Sequence, residues 1–274
     1  MFSLSASPSR RHYESVRIRT AAAAAGFLAI AVLAPIAPVG AAPTAQHVSS
    51  IPRVGAVFVP YLPIVTELFG LPHTCSASVV HSSSRNVVIT AAHCITGSGV
   101  GYAFAPGYHD GVFPYGAWTV RRVYVNPAWK LRHDPHADWA FLVVAPRTIG
   151  GVTKNIEDVV GGYALGAAPA VGATVTVDGY AIGSHDRPLT CTAVTQRTSG
   201  YPRFDCGGFV DGTSGGPWLR AGHVVGVIGG LHQGGCTPET SYSAPFGAAT
   251  VADLARAAAG GPGDLVPPAG SSGC

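Results

Sequence analysis

Apolar residues along this chain gather in runs of 5 to 8, rich in β-branched and aromatic side chains and fenced by Gly, Pro, Ser, Asn or Asp. Runs at 54–59, 76–80, 86–90, 118–125, 139–144, 173–177 and 224–228 have the length and composition of strands. No helical period separates them, so the pairing they predict is antiparallel, as in barrels and sandwiches. One stretch, 248–259 (AATVADLARAAA), has helical composition and is stopped by Gly260 and Gly261. The predicted fold class is all-β, two antiparallel β-barrels with a C-terminal helix, since one barrel of this length would need many more strands. A Gly- and Ala-rich stretch at 150–166 joins the two units, giving an N-terminal barrel over 54–155 and a C-terminal one over 156–259. Residues 260–274, rich in Gly, Pro and Ser, read as a flexible tail.

Composition agrees with this picture and narrows it. With 47% of its 274 residues hydrophobic and 11% charged, the chain can bury a sizeable core and does not have the make-up of a disordered protein. Its 36 Gly and 22 Pro exclude a coiled coil or a helical array. The first 41 residues stand apart: a polar, basic start containing Arg10, Arg11, Arg17 and Arg19, an uncharged Ala-rich run over 21–39, then Gly40, Ala41 and Ala42. That order is a secretory signal peptide over 1–41, cut after Ala41 or Ala42. Pro35 and Pro38 interrupt the apolar run and argue against a retained membrane anchor. Ser9-Arg10-Arg11 resembles a twin-arginine signal, but Tyr13-Glu14 follow where an apolar pair belongs, so both export routes stay open. Residues 42–53 form a propeptide or linker, with Arg53-Val54 as a processing point.

The leader also accounts for the net charge of +3, because residues 42–274 carry thirteen basic and thirteen acidic side chains. Lys and Arg do not cluster beyond the pair Arg121-Arg122, so a nucleic-acid partner is excluded. All six cysteines follow the leader and would meet an oxidising compartment. Their number leaves fifteen connectivities open. The favoured set is Cys75 with Cys94 and Cys191 with Cys206, leaving Cys236 with Cys274.

Three local patterns carry chemistry. Thr90-Ala91-Ala92-His93-Cys94 ends a strand with a histidine beside a cysteine; Asp138-Trp139-Ala140-Phe141-Leu142 opens a strand with a carboxylate; Gly212-Thr213-Ser214-Gly215-Gly216-Pro217 sets a serine in a Gly-rich turn. A serine hydroxyl is a weak nucleophile until an imidazole takes its proton, and the imidazole needs a carboxylate to fix its tautomer and stabilise its cation. Glycines beside the serine let backbone N–H groups, here those of Gly212 and Ser214, approach a developing oxyanion. The order discriminates between folds. Gly212 to Gly216 also fits G-x-S-x-G, but an α/β-hydrolase needs acid and then histidine after the serine, and no histidine follows Asp253 or Asp264. A subtilisin needs an aspartate before the histidine, and the first Asp of the chain is Asp110. His93, Asp138, Ser214 is the order that remains, and it needs no cofactor and no metal.

At these residues the sequence resembles the chymotrypsin/trypsin-like serine peptidases, from about Val54 to Ala259. Within that family it is most similar to secreted actinobacterial and V8-like members, on Val54-Gly55-Ala56, Cys75-Ser76-Ala77-Ser78-Val79-Val80, Gly107-Tyr108-His109-Asp110-Gly111 and Phe204-Asp205-Cys206-Gly207-Gly208. The resemblance implies two β-barrels with the triad between them. It also implies His93 as general base and then acid, Asp138 as its orienting partner, Ser214 as acyl-enzyme nucleophile, and a Cys75–Cys94 bridge bracing the histidine turn.

The chain departs from that pattern in three places. Thr213 stands where trypsin-like members have the Asp that receives a new N-terminal ammonium, so that activation switch should be absent. Gly208 falls six residues before the serine, where enzymes cutting after Arg or Lys have Asp. Basic specificity is therefore disfavoured, unless Asp205 or Asp211 is redeployed. Gly229-Gly230 replace a Ser-aromatic pair, which removes a side-chain hydrogen bond to the triad acid. A metal site from His133, Asp134, His136 and Asp138 is a weaker reading than a loop carrying the triad acid, and His109 and His232 read as loop histidines. The implied function is a secreted, extracellular, monomeric serine endopeptidase acting on protein or peptide substrates, with no stable membrane anchor. The alternative from another class is a catalytically silent binding protein on the same scaffold.

Overall fold

The computed structural model describes residues 42–59, 73–183 and 187–274; the leader expected over 1–41 lies outside the described residues. The chain enters through β1 (Gln46–His47), and six strands follow: β2 (Val54–Phe58), β3 (Cys75–Val80), β4 (Val87–Thr90), β5 (Ala103–Pro106), β6 (Trp118–Val125) and β7 (Ala140–Val144). They close into a barrel in the order β2-β3-β4-β7-β6-β5, all antiparallel. Closure removes the sheet edges. Ile89, Phe104, Trp118, Phe141 and Leu142, all fully buried, belong to one core cluster.

The second half holds β10 (Ala164–Leu165), β11 (Thr174–Gly179), β12 (Leu189–Thr198), β13 (Tyr201–Asp205), β14 (Pro217–Arg220), β15 (His223–Val227) and β16 (Thr240–Tyr242). They form one sheet in the order β10-β15-β14-β11-β12-β13-β16, with β1 added against β12 as its eighth strand. The Gly229 N–H donates to Tyr242 O (3.0 Å) and the Val227 N–H to Ser243 Oγ (3.1 Å). These bonds join the chain leaving β15 to the chain leaving β16, so the sheet curls round on itself. Its core packs Phe204, Phe209 and Trp218 against Val175 and Val177.

Three parts differ from the pattern of apolar runs. The joining stretch is not a plain linker: it contains a small hairpin, β8 (Arg147–Ile149) with β9 (Val152–Lys154), and a short helix, α2 (Ile156–Val160). Asn155 and Asp158 cap that helix reciprocally, and Ile156 and Val160 are buried. A second short helix, α1 (Pro127–Arg132), starts on Asn126, whose side chain accepts from the Ala128 N–H, with Pro127 at its first turn. Both were invisible to an apolar-period reading because six residues or fewer cannot complete two turns. The tail over 260–274, flexible by composition, is tied down. Val266 exchanges two backbone bonds with Gly97 (2.8 and 2.7 Å) and is buried, and Asp264 accepts from the Val125 N–H and pairs with Arg256 and Lys130. The helix α3 (Ala248–Ala259) lies where its sequence places it, with Asp253 buried.

The segment 42–53 is likewise built in. Ala45 donates to Gly207 O (2.8 Å), Val48 to Pro188 O (2.9 Å) and Val54 to Ile51 O (3.0 Å). Among the described residues no helix is long and apolar enough to cross a membrane.

One buried carboxylate belongs to none of the three motifs. Asp178, on β11, is 3% exposed, and among the described residues its Oδ1 has no hydrogen-bond partner. Burial pushes its carboxyl up from 3.8 to about 6, a hydrogen bond with Thr190 acting in the other direction. Its charge in turn adds to the burial that holds the Tyr163 and Tyr180 hydroxyls above their ordinary range. A carboxyl raised by folding contributes its full stability below about pH 4 and loses it as pH rises toward 6, in total about 2–3 kcal/mol. Asp178→Asn is therefore expected to raise the melting temperature at pH 7.5. Thermal scans from pH 4 to 8 should show that advantage shrinking towards the acid end.

Candidate active site

His93 lies in a 3₁₀ turn, Ala92–Cys94, at the end of β4, and the neighbouring Cys94 is bonded to Cys75 at the start of β3. The bridge fixes the turn against the next strand of the same barrel. Asp138 follows a second 3₁₀ turn, Pro135–Ala137, in which the Asp134 side chain accepts from the His136 N–H (3.0 Å). The next residue, Trp139, is anchored by its indole N–H to Asp253 Oδ2 in α3 (3.1 Å), and Asn126 donates to the same oxygen (3.0 Å). The C-terminal helix thereby holds the segment that presents Asp138.

The Asp138 carboxylate is fully buried and accepts three N–H groups: the His93 backbone on Oδ1 (3.0 Å), and His93 Nδ1 (2.8 Å) and the Gly230 backbone (2.8 Å) on Oδ2. A carboxylate only accepts, so Nδ1 is the donor, and in the neutral tautomer that this selects the lone pair sits on Nε2. The Gly230 N–H supplies the contact that Gly229-Gly230 lack in side chains. Gly229 is required here for space: a Cβ there would lie 2.9 Å from Asp138 Oδ2.

The serine turn is built by assigning its carbonyls. Asp211 O accepts from the Ile182 N–H (2.8 Å), Gly212 O from Ser76 Oγ (2.9 Å), Thr213 O from the Gly216 N–H (2.9 Å) and Ser214 O from the Ser76 N–H (2.7 Å). In a trans peptide the N–H points opposite to the preceding C=O. With Asp211 O and Thr213 O each bonded within the protein, the Gly212 and Ser214 N–H groups each point away from their committed carbonyl. Gly212 has φ of 93°, and a Cβ there would meet Tyr180 O at 2.7 Å. Thr213 is buried and bonds within the turn, its hydroxyl donating to Val210 O (2.7 Å). The turn is braced without an acid at position 213.

Ser76 carries no signal of this role in the sequence beyond lying in the run after Cys75. Fully buried, it accepts from the Tyr180 N–H (2.8 Å) and donates to Gly212 O, so one hydroxyl links β3, the end of β11 and the serine turn. Thr90 Oγ1 donates to Ser76 O (2.8 Å) from the strand leading to His93.

His93, Gly212 and Ser214 line one cavity of about 630 Å³. A second, of about 300 Å³, opens beside Ser214 between Phe209, Val210, Ile228 and Ser241. Asp211 borders both and is exposed. Asp205 is held by Arg203, Gln196 and Thr240, away from both cavities. Gly208 donates to Pro238 O and lines neither. The residues weighed for a metal are engaged separately: His133 with Pro268 O, Asp134 and Tyr201 with His136, and Asp138 with His93. Cys191 is bonded to Cys206 and Cys236 to Cys274, the latter pair beside His232 at the cavity wall. His109 folds back on Gly107 O.

The family model described as Trypsin matches residues 63–254. Among solved structures, the chain is similar to the protease Anisep from Arthrobacter nicotinovorans, with 25% identity, a TM-score of 0.65 and coverage of 79% of this chain and 100% of that one. A thermostable serine protease, AL20, from an extremophilic microorganism gives 23% identity and a TM-score of 0.59, covering 76% and 98%. A Glu endopeptidase gives 17% and 0.60, covering 80% and 98%. No curated protein matches the sequence.

Two substitutions test the frame of the site through the reactivity of Ser214 towards a small fluorophosphonate. Gly229→Ala should displace the Asp138 carboxylate and slow labelling by about 10- to 100-fold, as a misplacement approaching 1 Å does. Ser76→Ala leaves a buried N–H and a buried carbonyl unpaired; chemical denaturation should show a loss of about 1–3 kcal/mol alongside slower labelling.

Proposed function

The chain belongs to the trypsin family, and from that premise we propose that it is a secreted serine endopeptidase that hydrolyses peptide bonds through an acyl-enzyme. The observation that carries the proposal is the oriented pair: His93 Nδ1 against the buried Asp138 carboxylate, in a cavity that Ser214 and Gly212 also line. Ser214 Oγ attacks the scissile carbonyl carbon as its proton passes to His93 Nε2. The carbonyl oxygen takes the negative charge and is met by the Gly212 and Ser214 N–H groups, whose orientation follows from the committed carbonyls beside them. The Asp138 charge stabilises the imidazolium. When the intermediate collapses, His93 returns the proton to the leaving amine, and a water repeats the sequence to release the acid and restore Ser214. Every group required is a side chain or backbone N–H of this chain, so the step calls for no metal or cofactor.

The smaller cavity suits a neutral side chain on the residue before the scissile bond, because its walls are apolar and hydroxyl-bearing and its one charged lining residue, Asp211, is exposed to water. Three disulfides support export to an oxidising compartment, in line with the leader over 1–41. The partners are protein or peptide substrates, and the working form is a monomer. A loose turn awaiting an N-terminal ammonium has no counterpart here, since Thr213 closes the turn on Val210 O.

Intact mass after a fluorophosphonate tests the reading. One adduct per chain is expected, with none on Ser214→Ala. Absence of an adduct on folded, disulfide-bonded protein would overturn the peptidase assignment and favour a silent binding protein.

A further inference from the structure

Residues 264–274 reach from the first barrel to the catalytic cavity. After Val266 docks on Gly97, the tail runs past His133, whose Nε2 bonds to Pro268 O (3.0 Å), and reaches the loop that borders the catalytic cavity. There Gln233 Nε2 donates to Gly270 O (2.6 Å) and His232 Nδ1 to Ser272 O (3.0 Å), and Cys274 closes a disulfide to Cys236. Ser272 and Cys274 line the same cavity as His93 and Ser214. His232 and Gln233 both hold left-handed backbone conformations, φ 54° and 53°, unusual for residues with side chains. Both residues, like His133 with φ 51°, place a side chain on a carbonyl of the tail, and such strain persists where surrounding contacts over-determine it.

The cavity thus has a disulfide on each of two sides. Cys75–Cys94, largely buried, stands beside His93, and Cys236–Cys274, exposed, stands beside His232. Each bond ties its wall to another part of the chain: Cys94 beside His93 to the start of β3, and Cys274 in the tail to Cys236 in the loop beyond His232. The exposed wall has the weaker backing: apart from the bridge, its tip is held by side-chain bonds to Gly270 O and Ser272 O. Without the bridge, a segment so rich in Gly and Ser is free to leave the wall.

We propose that the segment from Pro268 to Cys274, clamped by the Cys236–Cys274 bridge, is a specificity wall of the substrate cleft. It confines the site to narrow, extended polypeptide and turns away chains with bulky side chains close to the scissile bond. The proposal rests on the peptidase reading of the same cavity and assigns the tail a role within it.

The test compares the wild type with the double variant Cys236→Ser, Cys274→Ser, which removes the clamp and leaves no odd thiol. Both are first labelled with a small fluorophosphonate, then assayed on a small activated ester and on two extended peptides that differ only in carrying Gly or Trp beside the scissile bond. Labelling and ester turnover should change by less than about two-fold, while kcat/KM for the Trp peptide rises by about 10-fold relative to the Gly peptide, as opening a pocket by a few atoms allows. A chain ending at Pro267, in which the wall is missing altogether, should show the same shift. An unchanged Trp-to-Gly ratio in both variants overturns the proposal, as does an equal fall on every substrate, which would mark the tail as structural. A wild type that does not label at Ser214 sinks the peptidase reading and the wall with it, a result distinct from labelling with an unchanged ratio.

Discussion

A single buried negative charge sets the terms for the rest of this molecule. The Asp138 carboxylate is fully removed from water, and an uncompensated charge in such a place costs several kcal/mol. Its compensation comes from three N–H groups drawn from both halves of the chain, two from His93 in the first barrel and one from Gly230 in the second sheet. The halves must therefore meet in one register for the carboxylate to be tolerated at all. The elements around it serve that meeting: the Cys75–Cys94 bridge fixes the histidine turn, α3 anchors Trp139, and Gly229 leaves room for the carboxylate.

The serine turn obeys a complementary rule. Where Asp138 gathers donors, the turn spends its acceptors: four successive carbonyls from Asp211 to Ser214 are each bonded to a partner. Of the four N–H groups on the far side of those peptides, Thr213's donates to Val210 O and Gly215's to Ile228 O, which leaves those of Gly212 and Ser214 uncommitted among the described residues. A site that must stabilise charge as it develops gains from donors fixed beforehand, because little reorganisation is left for the moment of reaction. Ser76 is central to this arrangement, since it binds two of those carbonyls, one through its hydroxyl and one through its N–H.

Much of this was legible in the sequence, for definite physical reasons. The apolar runs found β6 (118–125) with its bounds intact and six more strands to within one or two residues at either end, because β-branched and aromatic side chains mark buried pleats. They missed β5 with its Ala and Pro, and β13, whose Pro202 interrupts an otherwise strand-like run; β12 alternates Thr, Gln and Arg with its buried positions and so hides as polar. Motifs singled out His93 and Asp138, which the structure brings within 2.8 Å, and Ser214, which it places on the same cavity. Ser76 and the Gly230 N–H were not legible, since a backbone donor has no letter of its own and a lone serine in a strand has no signature. The tail misled by composition: Gly, Pro and Ser describe what a segment would do alone, and this one is held by partners over a hundred residues away, such as Gly97 and Val125.

The segments that flank the two halves also cross over. Residues 44–48, which precede the first barrel, bond to Gly207, Pro188 and β12 in the second half, whereas residues 261–268, which follow the second half, bond to Gly97, Val123, Tyr124, Val125 and His133 in the first. Each half is thus belted by the segment that flanks the other. A belt of this kind cannot close until nearly all of the chain is present, so its contacts come late and carry a high loop-closure cost. Once closed, it makes the stretch between the halves dispensable as a tether: a nick near Gly150 would leave two fragments still wrapped in each other's ends, and the protein would come apart as one cooperative body instead of two hinged ones.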